Sequence, residues 1–281
     1  MAALLEQTIR SEYHRLPVGE RKIADVLLQM RGELAAYSAT ELAERAGVSK
    51  ATASRLVRRL GFSDYQQLRQ QVRADGANGS PLAEFAGALV KKDTLARHLD
   101  HDVACLTSSL EGIPADQIRR ATEMLAKASR LWVIGFRNSH ALALYARELL
   151  IQVKPNVRLL PAPGQTVAEE LSALADSDTV LALGFRRQPR EFVKILQVVR
   201  QIKARTLLIG DSSIEDLDKQ ADITFRCQSH GSGLFDTYVA PMSLLNYLCS
   251  GVAVVLGKAA QTRLRRSEQL HRQFGDFGSP P

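Results

Sequence analysis

Apolar and polar positions change rhythm once along this chain. From Gly19 to Leu68 the apolar residues recur at helical spacing with short breaks, and no strand-like alternation appears. The stretch "VRADGANGSPLAEF" then gathers Gly76, Gly79, Ser80 and Pro81, the composition of a linker. Beyond it, "LVKKDTLARHLDHDVACLTSSLEGI" returns to helical spacing. From Arg130 the pattern becomes short apolar runs separated by amphipathic segments of helix length. "RLWVIG" precedes a helix from Ser139 to Ile151, "VRLLP" one from Val167 to Ala175, and "TVLALG" one from Pro189 to Ile202. "RTLLIG" precedes a short turn from Ile214 to Lys219, and "DITFRC" follows. Five short strands separated in this way predict a parallel sheet with helices on both faces.

The helical half carries a more specific pattern. In "YSATELAERAGVSKATASRLVRRLGFSDYQQLR", Ser38 and Glu41 form a capping box for a short helix, "ATELAERA". Gly47 ends that helix where a sharp turn needs positive φ. Ser49 caps the next, "KATASRLVRRL", which Gly61 terminates. Leu42, Ala43, Val48, Ala53, Leu56 and Val57 put small or apolar groups where two crossing helices touch, so the spacing is that of a helix-turn-helix. On the outside of the second helix Lys50, Thr52, Ser54, Arg55, Arg58 and Arg59 are all polar and none is acidic. Its N-terminal residues would enter a major groove, which makes Lys50, Ala51, Thr52 and Arg55 the base-edge candidates. Ser49 offers a hydroxyl and backbone N–H groups to a phosphate, while Arg58 and Arg59 face phosphates or lie beside the groove. The plainer alternative is a helical pair with a solvated basic face.

Charge and cysteine usage sharpen this picture. Across 281 residues, 37 basic against 30 acidic side chains leave a net charge of +7, which favours an anionic partner such as nucleic acid. The three cysteines, Cys105, Cys227 and Cys249, lie far apart with no Cys-x-x-Cys, so we expect reduced, buried thiols in a cytoplasmic protein rather than a disulfide frame or a metal site. The N-terminus "MAALLEQTIRSEYH" meets an acid at Glu6 and does not predict an export signal. The run "APMSLLNYLCSGVAVVLG" approaches the length of a membrane span, but in this context it reads as a buried helix of the α/β domain.

The N-terminal pattern "LPVGERKIADVLLQM", with the helix-turn-helix after it, resembles the DNA-binding domain of RpiR/MurR transcriptional regulators. The remainder resembles the sugar isomerase (SIS) domain of that family, over residues 4 to 257 in all. The expected fold is therefore an all-α helix-turn-helix domain plus an α/β doubly wound parallel-sheet domain of SIS type. We divide the chain into 1–76 (DNA-binding), 77–117 (linker and connecting helix), 118–260 (effector domain) and 261–281 (basic helix and tail).

The resemblance implies phosphosugar binding at strand ends by serines, threonines and helix N-termini. "LWVIGFRNSHALALYAREL" matches the first such loop, usually Gly-x-Gly-x-Ser: Gly135 and Ser139 fit, but Arg137 replaces the second glycine. "DTVLALGFRRQPREFVKIL" matches the second, yet the usual hydroxyl-rich run is replaced by Gly184, Phe185, Arg186, Arg187, Gln188, Pro189 and Arg190. "LIGDSSIEDLDKQADITFRC" fits the later strand with its Asp211–Ser213 turn. Proline donates no N–H and arginines obstruct close backbone approach, whereas guanidinium forks recognise carboxylates or phosphates. Gly135, Arg137, Asn138, Ser139, Gly184, Arg186, Arg187 and Gln188 therefore form the expected effector site, with Arg137 and Arg186 or Arg187 as an anion clamp. Alternatively these arginines face solvent, pair with Glu191 or Glu169, or sit in a subunit interface; Ser139 alternatively only caps its helix. His140 and His230 are as readily structural as ligand-binding.

An isomerase needs a base poised over the substrate carbon, and no spacing selects one among His140, Glu169, Glu170 and His230. The expectation is a non-enzymatic regulator, more often a repressor, without cofactor, metal or membrane. It would bind double-stranded DNA at a pseudo-palindromic operator as a homodimer or homotetramer, and respond to a small anionic metabolite, a carboxylate or phosphorylated acid. The alternatives are a phosphosugar-responsive regulator of the usual family type and a sugar-phosphate isomerase-like enzyme.

Overall fold

The computed structural model describes residue 9 and residues 12–29, 39–68, 94–186 and 188–275, apart from the side chains at 29, 215 and 216. Ser38, Arg187 and the glycine-rich linker lie outside the described residues. The chain divides into two compact units, one of residues 1–92 with 233–235 and the other of residues 93–232 with 236–281.

In the first unit, helices α1 (Val18–Gln29), α2 (Ala39–Arg45) and α3 (Lys50–Arg59) pack together. Ile23, Ala24 and Leu27 of α1 meet Leu42 and Ala43 of α2 and Ala53, Leu56 and Val57 of α3, all buried. Both breaks are made as the glycines require. Gly47 (φ 61°) and Gly61 (φ 94°) take the left-handed conformation. After each, the next residue's N–H reaches five residues back, Val48 to the Ala43 carbonyl (2.9 Å) and Phe62 to the Val57 carbonyl (3.2 Å).

In the second unit, α4 (Leu95–Leu110) and α5 (Ala115–Lys127) lead into β1 (Leu131–Gly135), α6 (Asn138–Val153), β2 (Val157–Leu160), α7 (Val167–Leu171) and β3 (Thr179–Gly184). There follow α8 (Arg190–Ile202), β4 (Arg205–Gly210), a 3-10 helix (Ser212–Gln220), β5 (Ile223–Arg226), α9 (Val239–Leu256) and α10 (Lys258–Phe274). The segment read as a connecting helix thus includes α4, whose Leu106 and Leu110 pack on the core of this unit. All strand pairs are parallel, in the order β2-β1-β3-β4-β5. Alternate strand residues serve opposite faces. Val133, Leu181, Leu183, Leu207 and Ile209 meet α5, α6 and α9, while Trp132, Ile134, Val180, Ala182 and Leu208 meet the region of α7 and α8. The apolar helix α9, with a mean hydropathy of 1.8, passes a length and composition test for a membrane span. Yet Ala240, Leu244, Leu245, Leu248, Cys249 and Val252 are buried against the sheet core. Gly251 lets α9 approach α5 closely, since a Cβ there would lie 2.9 Å from Thr122 Cγ2.

The amino-terminal edge of the sheet is fastened by Asp178, 1% exposed. Its Oδ2 accepts from the Trp132 indole (3.1 Å), the Ala175 N–H (3.0 Å) and Arg130 Nε (3.1 Å). These demands shorten the helix expected to run to Ala175: α7 stops at Leu171, and the chain turns so that the Ala173 carbonyl meets Arg130 and the Ala175 N–H meets Asp178. Burial alone would push the Asp178 carboxyl up, but its hydrogen bonds from Ala175, Trp132 and Arg130, with the arginine's charge, outweigh that and hold it below the usual range. A carboxyl depressed in the folded state contributes stability above its unfolded pKa of about 3.9, and loses it as pH falls through the folded value. Asp178→Ala should lower the unfolding free energy in urea by about 3–5 kcal/mol at neutral pH. The deficit should shrink below about pH 4; a pH-independent deficit would contradict the charged role.

Candidate functional site

The first candidate surface is the exposed side of α3. Ser49 Oγ accepts from the Thr52 N–H at 3.2 Å, so the expected cap is present. Lys50, Ala51, Arg55, Arg58 and Arg59 are exposed, and Thr52 and Ser54 are half-buried. Their roles divide. The Thr52 methyl faces α1, since a Cβ on Gly19 would lie 3.2 Å from it. Arg55 folds back along its own helix, with Nε 3.4 Å from the Ala51 carbonyl oxygen, and stays exposed. Arg59 Nε donates at 2.9 Å to Glu20, which is 4% exposed. The guanidinium expected to face a phosphate is thus also the counter-ion of a buried acid on α1. Lys50, Arg55 and Arg58 are the exposed cations of this helix outside that pair.

The second site follows from topology. Strand order reverses between β1 and β3, because β1 connects to β2 on one side and the chain then returns to add β3 on the other. Helices diverge at such a reversal and leave a crevice at the carboxyl ends of the two strands. The loops after β1 and β3 both emerge there, since Gly135 pairs in register with Leu183. This brings together the residues nominated from the sequence, excepting Arg187, which lies outside the described residues.

The loop after β1 keeps the backbone of a glycine loop. Arg137 has φ 55° and ψ −126°, a conformation natural to glycine and strained for a side chain. It is exposed, as is Asn138. Ser139 is buried, at 6% exposure. Gly135 is required by close approach, as a Cβ there would overlap the Ser139 carbonyl oxygen. Gly184 is crowded likewise, since a Cβ there would lie 2.6 Å from the Phe192 ring. Both glycines therefore serve loop packing first. His140 Nδ1 donates to the Gly135 carbonyl at 3.2 Å, a structural role.

The loop after β3 is held by acids outside the set nominated from the sequence. Asp211, just beyond β4 and 7% exposed, accepts from the Arg186 N–H (3.0 Å) and Ser229 Oγ (2.7 Å) on one oxygen. Its other oxygen accepts from Ser213 N (2.9 Å) and Ser213 Oγ (2.6 Å). Gln188 Nε2 donates to the Ser213 hydroxyl at 3.0 Å. The Arg186 side chain pairs with Asp236 (3.1 Å) and donates to His230 Nδ1 (3.2 Å). This ion pair is made with an acid remote in sequence, while Glu169 closes a capping box with Thr166. Arg190 is exposed. Burial, followed by the nearby Asp236 charge, raises the Tyr238 hydroxyl's pKa. The position of Asp211 beyond a strand-end glycine is a usable sequence signal; nothing local marks Asp236.

The thiols are as expected. All three cysteines are free and buried. Burial with the Asp211 charge pushes Cys227 up to about 12, and burial alone takes Cys249 to about 12, so both are poor nucleophiles. No group of three or more metal-ligating side chains occurs among the described residues.

Comparison with known proteins finds a family model for each half of the chain. Residues 3–79 match the model of the helix-turn-helix domain, rpiR family, and residues 124–250 match the SIS domain. The HTH-type transcriptional regulator HexR of Pseudomonas aeruginosa is 25% identical over 96% of this chain and 95% of its own length. The Vibrio vulnificus NanR protein, solved in complex with ManNAc-6P, shares the fold over 96% of this chain and 98% of its own, with a TM-score of 0.59 at 16% identity. The sugar isomerase domain of an RpiR transcription factor from Sphaerobacter thermophilus does so over 62% of this chain and 97% of its own, with a TM-score of 0.58 at 22% identity. With both matching domains in order along one chain, this protein belongs to the RpiR family of helix-turn-helix transcriptional regulators with a SIS domain.

Proposed function

We propose that this regulator binds a pseudo-palindromic operator as a homo-oligomer through α3, and that an anionic small molecule at the β1/β3 strand ends changes that binding. The observation that carries the effector reading is the placement of Arg137 and Arg186 in the loops that follow the adjacent strands β1 and β3, at the reversal of strand order. Arginine forks favour carboxylates and phosphates. The loss of the hydroxyl-rich second loop favours a carboxylate or phosphorylated acid. The second reading, an ordinary phosphosugar effector, is supported by the NanR complex with ManNAc-6P. Ligand-dependent repression in the cytoplasm is the corresponding physiological role. Turnover is disfavoured because His140 and Glu169 are engaged in local structure and the likeness over nearly the whole chain is to regulators.

In this reading Lys50 and Arg55 contact base edges, Ser49 and Arg58 contact phosphates, and Arg59 chiefly secures α3 to α1. On operator DNA, Lys50→Ala and Arg55→Ala should each cost about 1–3 kcal/mol of specific binding. Arg58→Ala should weaken binding to all sequences and reduce the salt slope by about 1. Arg59→Ala should instead lower the melting temperature of the helical unit. Full specific affinity in the Lys50 and Arg55 variants, measured by fluorescence anisotropy, would refute this assignment.

The strained backbone at Arg137 makes a separate prediction. Arg137→Gly should stabilise the second unit by about 1–3 kcal/mol in a denaturant melt, while Arg137→Ala gains little. Both should lose affinity for inorganic phosphate and keep DNA binding. Retention of phosphate affinity by both variants would remove Arg137 from the site.

A further inference from the structure

Arg186, the cation nominated for the ligand, already holds an anion of the protein. Its Nη2 lies 3.1 Å from Asp236 Oδ1, and the two side chains are only 16% and 13% exposed. We propose that Asp236 is the internal counter-ion of the effector site, a specificity-determining residue that the effector's anionic group must displace from the Arg186 guanidinium. The proposal rests on the strand-end reading above and adds the residue that sets the charge requirement.

Three observations support it. A carboxylate and a ligand phosphate or carboxylate seek the same face of a guanidinium fork, so they compete for Arg186. The two partners also stand on different chain segments. The Arg186 backbone is fixed through its N–H to Asp211, beside the end of β3. Asp236 lies in a loop closed by the Thr237 N–H donating to the Ser229 carbonyl (2.9 Å), ahead of α9. Movement of that loop, with Arg186 held at the strand end, separates the pair. Finally, releasing a largely buried carboxylate leaves charge to be compensated. A neutral sugar offers Arg186 no replacement anion, whereas a phosphate or carboxylate does. Asp236 thus rejects uncharged analogues of the effector by making them leave an ion pair broken, a form of specificity by penalty.

The same loop reaches α4. His101 Nε2 donates to the His230 carbonyl at 2.7 Å, and His98 Nδ1 lies 3.2 Å from Ser232 Oγ. The His230 ring in turn accepts from Arg186. Displacement of Asp236 therefore moves a segment gripped by the first turns of α4, the helix that opens the second unit at Leu95. The anion is thereby coupled to the part of this unit nearest in sequence to the DNA-binding half.

The test uses the full-length protein and calorimetric titration with inorganic phosphate. Asp236→Asn keeps the side chain's shape and removes its charge. It should bind phosphate about tenfold more tightly than the unmodified protein, equivalent to ~1.4 kcal/mol, while Arg186→Gln should lose at least as much affinity. In a thermal melt, Asp236→Asn should unfold earlier in phosphate-free buffer and recover in phosphate; Asp236→Ser should repeat both results. If the Asp236 variants bind no more tightly but Arg186→Gln still loses phosphate, the counter-ion role is overturned and the site stands. If Arg186→Gln binds as well as the unmodified protein, the site reading itself fails. Absence of phosphate binding in every variant overturns both.

Discussion

Asp211 accepts four hydrogen bonds at the carboxyl end of β4, from Ser213 N and Oγ, Arg186 N and Ser229 Oγ. Burying a carboxylate to 7% exposure is costly unless its lone pairs are satisfied. Satisfying them draws together the loops that follow β3, β4 and β5. The irregular chain at the binding end of the sheet has few repeating hydrogen bonds of its own, so this carboxylate fixes where Arg186 and Gln188 stand. It also fixes the electrostatics. With Asp236 paired to it, Arg186 already balances an internal acid, and under the proposal above the site selects for charge rather than merely attracting it.

The opposite edge of the sheet uses the same device for a different end. Asp178 gathers Arg130, Trp132 and Ala175 at the amino-terminal edge, where the guanidinium groups of Arg130 and Arg158 also lie 5.3 and 5.0 Å from the Trp132 ring centroid. That cluster secures packing and leaves the carboxyl ends available for a ligand. In the helical unit the Glu20–Arg59 pair has a comparable structural role, which separates the basic residues of α3 into one that holds the helix and others that face outward. A basic helix is therefore not a uniform DNA-binding surface; the buried partner decides which cations are committed.

How much of this is legible in the sequence depends on the range of the forces involved. Ser49, Gly47 and Gly61 act within one turn of their own positions, and the caps and breaks they predict are present. The strands follow from apolar runs because β1 and β3 are buried along their whole length, and with helical segments between them the parallel sheet is legible too. The end of α7 is not, because long-range bonds to Arg130 and Asp178 override the local helical pattern. The partner of Arg186 is hidden for the same reason. Glu169 and Glu191 are nearer in sequence, whereas Asp236 is brought there only by completion of the sheet. The sequence marks Arg137 as standing in for a glycine, but its retained glycine-like backbone is visible only in three dimensions.

The central proposal is an anion acting at the β1/β3 crevice. Hydrogen–deuterium exchange of the full-length protein, with and without saturating inorganic phosphate, tests that claim most directly. The predicted result is slower exchange in residues 136–140 and 185–190, with a coupled change in 228–237 and in the first turns of α4. Protection confined to other surfaces, with those loops unchanged, would contradict it.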